Sequence, residues 1–115
     1  MPIFELKTNV RKEMITDAFL LELNRVLADV LDKPIQNMYS TVEADLCQAM
    51  GSSNEPCGVA KLTLFGKIGP AENKVTSSAV FPIIEKHLGI HGERLILEFF
   101  EIDPKNIAWN GSTVA

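Results

Sequence analysis

Proline is the second residue of this chain, directly behind Met1. Once Met1 is removed, Pro2 presents a free secondary amine, which can take a proton from the carbon beside a carbonyl. A proline in second place is normally permissive for that processing. A general base works best at neutral pH when its pKa lies near 7. Burial among apolar side chains brings an amine down toward that value, because desolvation disfavours the ammonium form, and a nearby cation acts in the same direction. The competing role for Pro2 is structural, since a residue without an N–H is tolerated at the start of a strand.

Other groups capable of chemistry are few. Cys47 and Cys57 are too few for a disulfide scaffold or a four-ligand zinc site, and are expected as reduced thiols. The stretch Cys57-Gly58-Val59-Ala60 lacks the second thiol of a Cys-x-x-Cys pair, so dithiol redox chemistry is not expected. His87 and His91 lie four residues apart, but Gly89 breaks the helix between them and no third ligand lies near in sequence. No metal site is expected there. Asn110-Gly111-Ser112 matches a glycosylation acceptor, yet reads first as an Asn-Gly turn.

The elements that must position Pro2 follow from periodicity. From Pro2 to Thr8 the chain alternates, with Phe4 and Leu6 on one side and Glu5 and Lys7 on the other, as in a half-buried strand. Ile15, Phe19, Leu23, Leu27 and Leu31 then recur at helical spacing, widened by Val26 and Val30. Thr16 is the expected N-cap, Asp17 suits the first turn, and the helix must stop before Pro34. Met38 to Leu46 alternates again, and a loop dense in turn residues, 51–56, follows. The pattern then restarts, with a strand from Val59 to Phe65, a helix from about Ala71 to Leu88, and a second apolar strand from Leu95 to Ile102. Pro82 falls inside the second helix and is expected to kink it at a cost of about 3 kcal/mol. Gly89 is placed to end it.

The order predicts an α/β (α+β) fold of two βαβ repeats, about residues 2–47 and 58–102, followed by a tail at 103–115. Crossover helices make each flanking strand pair parallel and right-handed. The two repeats combine into one domain with a four-stranded sheet and both helices on one face. Leu95, Leu97 and Phe99 would line one face of the last strand, and Ile96, Phe100 and Ile102 the other. A strand apolar on both faces needs cover on both sides. Two helices cannot supply it, so an oligomer with packed sheets is expected.

Composition excludes several classes. The 115 residues suit one domain, and 46% hydrophobic with 23% charged residues is ordinary for a globular protein. A net charge of −4 with interspersed signs argues against a nucleic-acid partner. No apolar run approaches the roughly 20 residues of a membrane span. Glu5 and Lys7 interrupt any signal-like stretch, so the expected location is the cytoplasm.

Several stretches together carry a resemblance: Pro2 after Met1, Thr8-Asn9-Val10, Lys33-Pro34, 51–57 (Gly-Ser-Ser-Asn-Glu-Pro-Cys), Gly66-Lys67-Ile68-Gly69, and 109–113 (Trp-Asn-Gly-Ser-Thr). In this order and spacing the chain resembles the macrophage migration inhibitory factor family of the tautomerase superfamily, over its whole length. The resemblance implies a homotrimer whose sheets face a central axis, and a tail that extends a neighbour's sheet. It also implies a cofactor-free keto–enol tautomerase of the phenylpyruvate or dopachrome type with Pro2 as general base. Lys33, which by position alone would merely complement a helix dipole, would then bind a carboxylate or carbonyl oxygen of a small enolisable substrate. The backbone N–H of Phe65 would make a further contact, with Ile107 and Trp109 as pocket walls.

Departures from the family pattern bear on the substrate. Ile96 stands where a tyrosine is common and Glu98 where an asparagine is, both contributed by the neighbouring subunit. Asn37 replaces a tyrosine and Val114 a phenylalanine at the pocket mouth. Glu98 would oppose a carboxylate substrate through like charge, so weak turnover of aromatic keto acids is expected. The alternative function implied by the resemblance is cytokine-like signalling through a cell-surface receptor, after release from the cell without a signal peptide, with a vestigial pocket.

Overall fold

The computed structural model describes residues Met1–Ala115. Its elements run β1 (Ile3–Thr8), α1 (Asp17–Leu31), β2 (Tyr39–Glu43), β3 (Gly58–Leu64), α2 (Pro70–Leu88), β4 (Leu95–Glu101), β5 (Ala108–Trp109) and β6 (Ser112–Thr113). The first four strands form a mixed sheet in the order β2-β1-β3-β4. β1 and β2 are parallel, β3 and β4 are parallel, and β1 meets β3 antiparallel. Each parallel pair is bridged by one helix, the double βαβ arrangement expected from the repeat.

α1 begins where the capping chemistry sets it, with the Thr16 hydroxyl accepting from the Phe19 N–H at 3.1 Å. Its end is equally local. Asp32 takes the left-handed region (φ 54°), and the Lys33 N–H folds back onto the Ala28 carbonyl at 2.9 Å. This wrap directs Lys33 off the helix end and leaves the extended conformation free for Pro34.

α2 runs through Pro82. Proline removes one N–H from the ladder, but Pro82 and Ser78 are both exposed, so water can satisfy the carbonyl left free on the solvent side. β2 ends at Glu43, short of the expected Leu46, because Asp45 takes a positive φ of 61° and turns the chain. β3 starts one residue early, at Gly58. A Cβ there would meet the Lys7 carbonyl at 3.1 Å and a Leu6 methyl at 3.0 Å, so glycine permits the close approach of β1.

The core lies between the helices and one sheet face. Phe4 and Leu6 of β1, Ala60, Leu62 and Leu64 of β3, Phe19, Leu23, Leu27 and Leu31 of α1, and Val80, Ile84 and Leu88 of α2 are all buried. Each large member contributes about 1.5–3 kcal/mol through burial.

The other sheet face is open, and on it the last strand presents Ile96 and Phe100 with Glu98 between them. Strand register arranges it in rows: Tyr39, Ile3, Thr63 and Phe100; then Thr41, Glu5, Lys61 and Glu98; then Glu43, Lys7, Val59 and Ile96. The middle row is charged. Lys61 pairs with Glu5 at 3.5 Å and lies 5.5 Å from the Phe100 ring. The apolar side chains Ile96 and Phe100 are half-exposed on either side of that row.

The tail continues from β4 through the Ile102 N–H, which donates to the Leu64 carbonyl at 2.9 Å. The Asp103 carboxylate then caps a short turn by accepting from the Lys105 N–H at 3.0 Å. β5 and β6 form a separate hairpin about Asn110 and Gly111, both with positive φ (57° and 85°), which is the turn chemistry those residues favour.

Candidate active site at the chain's amino terminus

Pro2 is buried at the end of the sheet where β1 and β2 begin and β3 and β4 finish. Its carbonyl accepts from the Tyr39 N–H at 3.2 Å, which fixes the terminus against the first residue of β2. Lys33 approaches from the end of α1. Its Nζ lies 5.2 Å from the centroid of the Phe65 ring, a cation–π contact at the residue just past β3. The terminal amine, carried here by Met1, is held below its ordinary value of 8.0, first by partial burial and then by the charge of Lys33. The fold therefore gathers Pro2, Lys33 and Phe65 from three different elements.

Beside Phe65 lies a hollow of about 420 Å³ lined by Phe65, Gly66, Glu101, Ile102, Asp103 and Pro104. Nothing in the periodicity singles out 101–104, because these residues meet Phe65 only through the parallel pairing of β3 with β4. Ile107 is half-buried at the base of the tail hairpin, where its carbonyl accepts from the Val114 N–H at 3.1 Å. Trp109 stands on that hairpin with half its surface exposed.

The two remaining candidates are not at this site within one protomer. Glu98 lies on the open sheet face, in a shallow groove of about 280 Å³ with Glu5, Lys7 and Lys61. Ile96 lies at the opposite end of the sheet, in a groove of about 380 Å³ that it shares with Met50 and Cys57. The register explains the separation, since Ile96 pairs with Val59, whereas β1's first residue, Ile3, pairs with Thr63. Cys47 is exposed and Cys57 buried, both as free thiols. His87 and His91 take separate carboxylate partners, Glu22 at 2.7 Å and Glu85 at 2.9 Å.

A double βαβ unit, with its second residue Pro2 buried at one end of the sheet, defines a small α+β protein. Comparison with known proteins gives that class a family. The family model for macrophage migration inhibitory factor matches residues 1–115. The chain is 34% identical over 115 residues to macrophage migration inhibitory factor of Xenopus tropicalis, covering 100% of both chains. It is 32% identical over 113 residues to the homolog of Brugia malayi, covering 98% of each. The solved structure of the Trichinella spiralis factor superposes with a TM-score of 0.91 at 27% identity, covering 96% of this chain and 98% of that one. A homologue from Prochlorococcus marinus superposes with a TM-score of 0.90 at 23% identity, over 98% of this chain and 99% of that one, a likeness of fold. The chain belongs to the macrophage migration inhibitory factor family.

Proposed function

We propose that this protein is a cofactor-free keto–enol tautomerase in which Pro2, exposed by removal of Met1, is the general base. The observation that carries the reading is the setting of the amino terminus, where burial and Lys33 together lower the pKa of the terminal amine. Once Met1 is gone the nitrogen of Pro2, itself a buried residue, becomes the terminal amine. Pro2 takes the proton next to the substrate carbonyl, and Lys33 binds the carboxylate or the carbonyl oxygen on which negative charge develops. The protonated proline then returns the proton to carbon or oxygen, completing the tautomerisation without a cofactor. The Phe65 N–H adds a substrate contact, and Ile107 and Trp109 form walls.

Ile96 and Glu98 enter such a site only from a neighbouring subunit, so the reading includes a homotrimer. The half-exposed Ile96 and Phe100 of the open sheet face support association through that face. Glu98 disfavours a carboxylate substrate, and aromatic keto acids turn over weakly.

The test is phenylpyruvate tautomerisation by a preparation whose N-terminus is established by mass spectrometry and whose assembly is established by native mass spectrometry. Pro2→Gly should lose about 10²–10⁴ of the activity, the range of general-base catalysis. Unchanged activity in Pro2→Gly would overturn the base.

A second reading is favoured by the curated relatives, whose name denotes an action on macrophages. In it the protein leaves the cytoplasm without a signal peptide and signals through a cell-surface receptor. A Pro2→Gly variant that keeps its assembly and full receptor-dependent responses would separate signalling from catalysis.

A further inference from the structure

Arg94 is half-buried one residue ahead of β4, and its guanidinium hydrogen bonds all go to one loop. Nε donates to the Pro56 carbonyl at 3.0 Å, Nη1 to that of Met50 at 3.5 Å, and Nη2 to those of Ser53 at 3.1 Å and Glu55 at 3.0 Å. Asn9, just past β1, grips the same loop. Its Nδ2 donates to the Asn54 and Glu55 carbonyls at 3.0 and 3.1 Å, and its Oδ1 accepts from the Cys57 N–H at 3.0 Å. Met50 and Ser53 exchange two backbone hydrogen bonds, at 3.0 and 3.3 Å. A surface loop of turn residues is ordinarily mobile, but the carbonyls of this one are turned onto two side chains. The loop is also a wall. Met50, Gly51 and Cys57 line the groove of about 380 Å³ that contains Ile96, two residues beyond Arg94. Arg94 thus ties both ends of the loop, at Met50 and at Pro56, to the strand that carries Ile96.

We infer that Arg94 is a positioning residue of the tautomerase site, which clasps the 50–56 loop against Ile96 and so fixes the apolar wall that Ile96 presents to a substrate. This deepens the tautomerase reading and rests on it, in particular on Ile96 entering the site of a neighbouring subunit. The chemistry calls for arginine. A planar guanidinium carries five N–H donors in a fixed fork, so one head group reaches several carbonyls and stays charged at any working pH. A lysine ammonium is a point charge without that fork. Arg94 makes no ion pair, so no carboxylate competes with the loop for it. Opening the clasp removes charge-assisted hydrogen bonds from the loop carbonyls and frees the wall beside Ile96. Pro2 and Lys33 are held by other elements, at the opposite end of the sheet within a protomer. The consequence is therefore confined to substrate fit and spares the base.

The experiment compares wild type, Arg94→Ala, Arg94→Lys, Ile96→Ala, the double variant Arg94→Ala/Ile96→Ala and Pro2→Gly in phenylpyruvate tautomerisation, with native masses for each. Arg94→Ala should raise KM by roughly three- to tenfold, the scale of one methylene moved out of contact. Its kcat and the acid limb of its pH profile should stay within twofold of wild type, the pattern of lost binding rather than lost chemistry. Arg94→Lys, the gentler change for the fold, should raise KM by a smaller factor. Guanidinium chloride at tens of millimolar should restore KM in Arg94→Ala, and sodium chloride at equal ionic strength should not. In the Ile96→Ala background, Arg94→Ala should add nothing to KM, because it acts through Ile96. Multiplying effects of the two substitutions overturn the inference. KM within twofold of wild type in both Arg94 variants, beside an inactive Pro2→Gly, also overturns it and leaves the base intact. A fall in kcat together with loss of the native assembly, untouched by guanidinium, overturns it and makes Arg94 a residue of the fold alone. A fully active Pro2→Gly overturns the underlying reading instead.

Discussion

Replacing Lys33 by alanine separates the two tasks assigned to it, because the structure gives each a different readout. Its fold contribution is small. The ammonium over the Phe65 ring at 5.2 Å is half-buried, and such a contact is worth about 0.5–1 kcal/mol near a surface. Stability should therefore fall by less than about 1 kcal/mol. Its contribution in the proposed mechanism is larger. A charge-assisted hydrogen bond to a substrate oxygen contributes about 1.5–3 kcal/mol, so kcat/KM should fall roughly 10- to 150-fold.

The pH profile carries the second task. In the proposed mechanism the active base is the free amine, so activity should rise with pH through the amine's pKa. Lys33 helps to hold the terminal amine on Met1 below 8.0; acting likewise on Pro2 in the proposed mechanism, its removal lets the pKa climb back. The acid limb of the kcat/KM profile should shift to higher pH in Lys33→Ala, which burial alone would only partly resist. The assay is phenylpyruvate tautomerisation across pH, with urea unfolding as the stability control. If kcat/KM stays within threefold of wild type and the acid limb does not move, while Pro2→Gly is inactive, then Lys33 neither binds substrate nor tunes the base.

Two further outcomes concern the scaffold. The Glu22 carboxylate is held below its usual range, first by its hydrogen bond to His87 and further by Lys86. A depressed carboxylate stabilises the fold above its unfolded pKa and loses that contribution as pH falls through the folded value. The stability of the wild type should thus decline below about pH 4.5, the ordinary carboxylate value, and Glu22→Gln should flatten that decline in denaturant titrations at each pH. Leu27 is fully buried between α1 and the sheet. Leu27→Ala should cost about 2–5 kcal/mol, read as a lower urea midpoint with unchanged slope.

Most of the scaffold was legible in the chain itself, because its signals are local. Thr16 ahead of an apolar stripe marks the start of α1, Pro34 forces its end, and Asn110-Gly111 selects a hairpin turn. Alternation in β1 and β4 sorts their side chains into two faces. The misreadings also have local causes that pattern alone hides. Asp45 takes a left-handed conformation and cuts β2 short. Gly58 joins β3 because a neighbouring backbone crowds it. Grouping Ile96, Phe100 and Ile102 as one face of the last strand passed over Glu98 between them, and the charged middle row forms only once Glu5, Lys61 and Glu98 align from three parts of the chain.

For the site the division is sharper. The sequence alone determined that a secondary amine could exist at residue 2, that no Cys-x-x-Cys pair was available, and that a lysine would follow the first helix. Only the tertiary structure decided which groups stand together. The wrap at Asp32 and the β1–β3 register bring Lys33 and Phe65 to the end of the sheet that holds Pro2, while β4 carries Ile96 and Glu98 away from it within one protomer. A proline's position in a sequence says that it can be a base. At the chain terminus the amine of Met1 is lowered by burial and by Lys33, a residue more than thirty positions distant, and that proximity exists only in the folded chain.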